Sequence, residues 1–69
     1  MSEELKFFLL LLELYAIEKE KPTGEILREW DAHGITQEIY DGYEEYHIER
    51  IENAFMDIDS LLATGKHAW

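Results

Sequence analysis

Residues 7–12 read Phe-Phe-Leu-Leu-Leu-Leu inside a segment that otherwise has the pattern of a surface helix. A helix in a small soluble domain buries one apolar stripe and leaves the remainder wet. At about 100° per residue, Leu5, Phe8, Leu9, Leu12 and Ala16 gather on one side, and Phe7, Leu10, Leu11, Leu14 and Ile17 on the other. Lys6, Glu13 and Glu20 form a narrow polar stripe between them. The pattern predicts a first helix from Glu3 to Lys21 with Ser2 as its N-cap and Glu3 and Glu4 in its first turn, where the helix dipole favours acidic groups. Pro22 is expected to stop it, because the residue before proline is pushed out of the helical region.

The remaining apolar positions predict three further helices. Ile26, Leu27 and Trp30 give a buried face for a second helix over residues 24–33, capped by Thr23 and closed by Gly34 in the left-handed conformation. Ile39, Tyr40, Tyr43 and Tyr46, spaced at three and four, predict a third over 37–46 that starts after Thr36 and carries Gly42 within it. Gly42 allows close packing or marks a bend. Ile51, Ala54, Phe55, Ile58, Leu61 and Leu62 match the amphipathic template over 49–63, with Gly65 as the stop. The join near His47 has poor capping signals, so the third and fourth helices form either two elements or one bent helix. No segment alternates with period two, and no linker or repeat interrupts the chain. The expected fold is all-α, a bundle of four helices in one domain spanning residues 1–69.

A chain of 69 residues buries only about 60% of its unfolded surface, and small scaffolds add disulfides, metals or oligomerisation. With no cysteine the disulfide route is closed. If one side of the first helix is covered within the chain by the second and fourth helices, the other side needs a partner. Phe7, Leu10, Leu11 and Leu14 are the candidate interface, most simply between two copies of the chain.

Charge narrows the partners. Six Lys and Arg against sixteen Asp and Glu give a formal net charge of −10, which repels nucleic acids and anionic lipid and suits solubility or a basic protein partner. Gly34-Ile35-Thr36 has the look of a helix-turn-helix corner, but from Thr23 to His47 there is one Arg, Arg28, against seven acidic residues. A recognition helix needs Arg or Lys for phosphates and Arg, Asn or Gln for base edges. No DNA role is therefore expected. The apolar run of six is far short of the roughly 20 residues that span a bilayer, and the acidic start is unlike a signal peptide. The expectation is a soluble, cytoplasmic chain without membrane contact.

No catalytic, cofactor or metal motif stands out. His33, His47 and His67 lack the spacings of zinc sites. His33 suits a helix C-terminus, and His67 is expected in a frayed tail. His47, beside Glu44, Glu45 and Glu49, could act as a general base or ligand, though capping or packing a turn is the simpler role. Glu49, Asn53 and Asp57 fall at i, i+4 and i+8 and are expected on a solvated face, whereas Asp57 and Asp59 point to different faces. Trp30 and Tyr43 are expected in the core. Tyr40 and Tyr46, with His47, are the candidates for a functional surface, because Tyr is enriched at interfaces.

The span from Leu14 to Leu62 resembles a family of short bacterial helical proteins of unknown function. The resemblance rests on Leu14-Tyr15, Thr23-Gly24-Glu25-Ile26, Gly34, the element from Tyr40 to His47 with Tyr40, Tyr43 and His47, and Asp57-Ile58-Asp59. Tyr46 stands where such proteins have Leu, and Ile48-Glu49 where they have Thr-Gln. Some members look like small partners encoded beside toxin-like or ADP-ribosyltransferase-like proteins. What the resemblance implies is an antitoxin-like or accessory binding role, with no catalytic residue assigned; the residues themselves lead to the expectation of a non-enzymatic helical interaction module.

Overall fold

A computed structural model describes residues 1–69 as five helices without strands: α1 (Glu3–Lys19), α2 (Thr23–Ala32), α3 (Thr36–Asp41), α4 (Tyr43–His47) and α5 (Ile51–Thr64). The all-helical class is as the apolar spacing predicts, but the count is five rather than four. The segment 37–46, expected as one helix, divides at Gly42, whose φ of −79° and ψ of 8° leave the helical run. A Cβ at Gly42 would lie 2.6 Å from the Tyr46 ring, so only glycine lets that ring fold back over the joint. A second break separates α4 from α5, so the alternative of one bent helix gives way to two.

The helix ends show which caps act. Ser2 Oγ accepts from Leu5 N–H at 3.1 Å, as expected. Thr23 does not cap α2; it is the first helical residue after Pro22, and no side chain caps that end. Thr36 likewise opens α3 rather than capping it, and its hydroxyl donates to the Asp31 carboxylate, tying the α2–α3 corner. α1 stops before the proline: Glu20 turns left-handed at φ 57°, and Lys21 N–H donates to Ala16 O at 3.0 Å. Gly34, with φ of 69°, makes the left-handed exit predicted for it, and Gly65, expected as the stop of the last helix, ends it in the same conformation at φ 76°.

Packing runs around α1, which lies against α2, α3 and α4, while α5 closes on α4. Its inward face consists of Phe8, Leu11, Leu12, Tyr15 and Ala16. These meet Ile26 and Trp30 of α2, Ile35 and Ile39, Tyr46, and Ala54, Ile58 and Leu61 of α5. Trp30 is the hub, with the rings of Phe8 and Tyr15 at 5.9 and 5.6 Å. Tyr15 also donates to Asp59 Oδ1 at 2.6 Å, and Lys19 reaches Asp59 Oδ2 at 3.0 Å, fastening α1 to α5.

The sidedness expected of the first helix is rotated. Leu11, expected in an interface, is wholly buried in the chain's own core. Leu5 and Leu9, expected to be covered, are exposed. The buried arc runs from Leu11 through Tyr15 and Phe8 to Leu12 and Ala16, and so straddles the two groups on the wheel. No helix is long and apolar enough to cross a membrane.

Candidate functional site

Two features remain once the core is accounted for. The first is the outer face of α1. Leu10 is 50% exposed and Ile17 67%, with Leu9 beside them and Leu14 half-buried at the edge. Lys6 and Glu13 are the charges set among them. Of the four residues expected at an interface, Leu10 faces solvent, Leu14 lies at the boundary, and Phe7 packs edge-on against Tyr43 at 5.6 Å. Leu11 cannot join a contact without unfolding.

The second is the C-terminal tail, for which a frayed end was expected. Gly65 reverses the chain after α5, and residues 66–69 return along that helix to a buried carboxylate. Asp57, expected on a solvated face, is 1% exposed. It accepts from Ala68 N–H at 2.5 Å, from the Tyr46 hydroxyl and from His67 Nδ1 at 2.7 Å. A buried carboxylate is tolerated when donors surround it in this way. Asp57 lies at the margin of the α5 apolar stripe, within about 60° of both Ala54 and Leu61 on the wheel, and that angle was the available sign of its burial. The fold-back that supplies two of its three donors has no counterpart in the helical periodicity.

His67 continues the chain of contacts. Its Nε2 lies 2.7 Å from Glu38 Oε2 on α3, so the imidazole bridges α3 and α5. A neutral imidazole has one N–H, and only the imidazolium donates to both carboxylates. Burial draws the His67 pKa down, and the two carboxylates more than offset this, holding it above the usual 6.5. The Tyr46 hydroxyl is pushed well above its ordinary range by burial and by Asp57, and the Tyr15 hydroxyl by burial and by Asp59, so both remain protonated donors. The carboxylates hold opposite nitrogens of one ring and so do not converge on a common point for a metal.

Trp69 completes the latch. Its ring stacks on His67 at 4.4 Å and meets Tyr46 edge-on at 5.6 Å, yet it stays 65% exposed. On one side it borders a groove of about 380 Å³ between α4 and α5, with Ile48 and Met56 exposed on its walls and Glu45 and Glu49 among its lining. On the other side lies a polar cleft that includes Glu38, Asp41 and Glu45.

The remaining candidates have local roles. His47 stacks on Tyr43 at 4.2 Å, and its Nδ1–H donates to the Tyr43 carbonyl at 2.6 Å, so the ring caps the end of α4. His33 treats the Glu29 carbonyl in the same manner at 2.9 Å. Tyr40 is half-buried against Phe8 at 5.6 Å. Tyr46, expected on a functional surface, is buried, and its hydroxyl is engaged by Asp57. Comparison of the chain with family models, characterised proteins and solved structures finds no match.

Proposed function

We propose that this chain is a non-enzymatic helical interaction module that pairs with a second copy of itself through the outer face of α1. The observation that supports this reading is that Leu10 and Ile17, and Leu9 across the Lys6–Glu13 stripe from them, stay exposed beside half-buried Leu14 while the inward face of the same helix already fills the core. The face is also self-complementary in charge. An antiparallel pairing about a twofold axis between Leu9 and Leu10 sets Lys6 opposite the partner's Glu13, and Leu10 opposite the partner's Leu9. Each half-exposed leucine that becomes covered contributes about 1 kcal/mol, against an association penalty of at least about 4 kcal/mol. The pairing is therefore concentration-dependent rather than obligate.

Sedimentation equilibrium tests it. The wild-type mass should rise from 8.2 kDa towards twice that value with concentration. Leu9→Glu and Leu10→Glu, at the two exposed side chains that the pairing sets against each other, should hold the chain monomeric with unchanged far-ultraviolet circular dichroism. Lys6→Glu should weaken the dimer, and adding Glu13→Lys should restore it. A wild-type chain that is monomeric at high micromolar concentration overturns the reading. Leu11→Glu reports on folding and not on association, because Leu11 has no exposed surface.

A second reading keeps the fold and changes the partner: an acidic, antitoxin-like module that engages a basic heterologous protein. The net charge of −10 supports it, as does the placing of Glu45 and Glu49 beside an exposed tryptophan.

A further inference from the structure

We propose that the groove between α4, α5 and the C-terminal tail docks a basic segment of another protein that carries an apolar anchor residue. The proposal rests on the second reading above and gives it a location. The groove offers what an anchor side chain needs: Ile48, Met56 and Trp69 exposed on its walls, with buried Ala54 among its lining. Exposed large apolar groups gathered at one concavity mark a binding surface more than scattered ones do.

The charge at the groove selects the occupant. Glu45 and Glu49 line it, and no lysine or arginine does. Arg50 is next in sequence to Glu49, but its guanidinium lies 3.6 Å from Glu52. Beyond Trp69 the adjoining cleft is bordered by the carboxylates of Asp41 and Glu45 and by Glu38, whose Oε2 already holds His67. A segment crossing the indole thus meets apolar walls on one side and carboxylates on the other. Lysine or arginine flanking the anchor would pair with those carboxylates and is attracted to an indole face. A second copy of this chain fits poorly, since a twofold contact here would bring both pairs of Glu45 and Glu49 together. Phosphate-bearing surfaces are repelled by the same groups.

The wall is also pre-formed. Ala68 N–H and His67 are held on Asp57, and Trp69 stacks on His67, so the indole does not have to be ordered when the segment arrives. Pre-organisation of this kind removes part of the cost of binding.

The test uses the isotope-labelled full chain and two synthetic probes at low salt. One is a short amphipathic peptide of lysine and leucine, the other its counterpart with every leucine replaced by serine. The lysine–leucine peptide should move the amide resonances of Ile48, Met56 and Trp69 saturably. Met56→Glu, a change at an exposed side chain, should weaken it by about tenfold or more, as should Glu49→Lys. The lysine–serine peptide should give only weak shifts spread over the acidic surface. Equal binding of the two peptides overturns the proposal. So does saturable binding that maps to the α1 face, which leaves the second reading standing without its groove. Binding of neither peptide overturns both.

Discussion

Glu20 sits at φ 57° and ψ 44°, the conformation in which glycine is the usual residue at a helix end. A side chain with a Cβ pays roughly 1–2 kcal/mol there, and the carboxylate also faces the negative end of the α1 dipole. Glycine recovers most of the steric term but loses entropy in the unfolded chain. Glu20→Gly is therefore expected to stabilise the fold by about 0.5–1 kcal/mol, measured as a shift of the urea midpoint at unchanged slope. A neutral or destabilising result would mean that Glu20 makes a contact which offsets its backbone strain. At this scale the sequence was a good guide where a single residue type suffices. Ser2, Gly34 and Gly65 each do what their chemistry predicts. It misled where two neighbours compete, as when Pro22 was the obvious stop but the chain had already turned at Glu20.

Among the elements, the tail of residues 66–69 is the one whose stability depends on protonation. The groups around His67 are Asp57 of α5, Glu38 and Asp41 of α3, Glu45 and the Tyr46 hydroxyl of α4, and Lys66 beside it in the tail. Its folded pKa is raised above 6.5, so the stability it contributes is fully present below the unfolded value and is lost as pH rises through the folded one. Proton resonances of the His67 ring should titrate with a midpoint above 6.5, and Glu38→Gln should lower that midpoint. Over the same interval the Ala68 amide should lose protection from solvent exchange. A midpoint at or below 6.5 would show that the ring does not bridge the two carboxylates in solution. None of this latch was legible as periodicity, because it joins residues ten and twenty-nine apart across a chain reversal. Helix periodicity did locate the segments, and it failed in α1 because an apolar surface on nearly every side leaves its orientation undetermined. The buried arc includes Tyr15, whose contacts with Trp30 and Phe55 exist only in the assembled fold.

For the whole molecule, the two proposed surfaces respond to salt with opposite signs. The protein extends 26 × 24 × 19 Å, so many of its charges lie farther apart than the Debye length of about 10 Å at 0.1 M ionic strength. Two copies that meet through α1 each bring a net charge of −10. Their repulsion outweighs two exposed Lys6–Glu13 contacts, each contributing well under about 1 kcal/mol. Screening that repulsion should tighten the homodimer, and its dissociation constant should fall as sodium chloride is raised from about 20 mM to about 300 mM. A basic segment in the groove is attracted by the same charge, so its affinity and association rate should fall over that range. Sedimentation and peptide titration at matched ionic strengths would separate the two modes. A dimer that weakens with salt would show that the Lys6–Glu13 contacts outweigh the net repulsion between the two copies. A peptide whose affinity is indifferent to salt would be held by the apolar walls alone, and Glu45 and Glu49 would then have no part in selecting it.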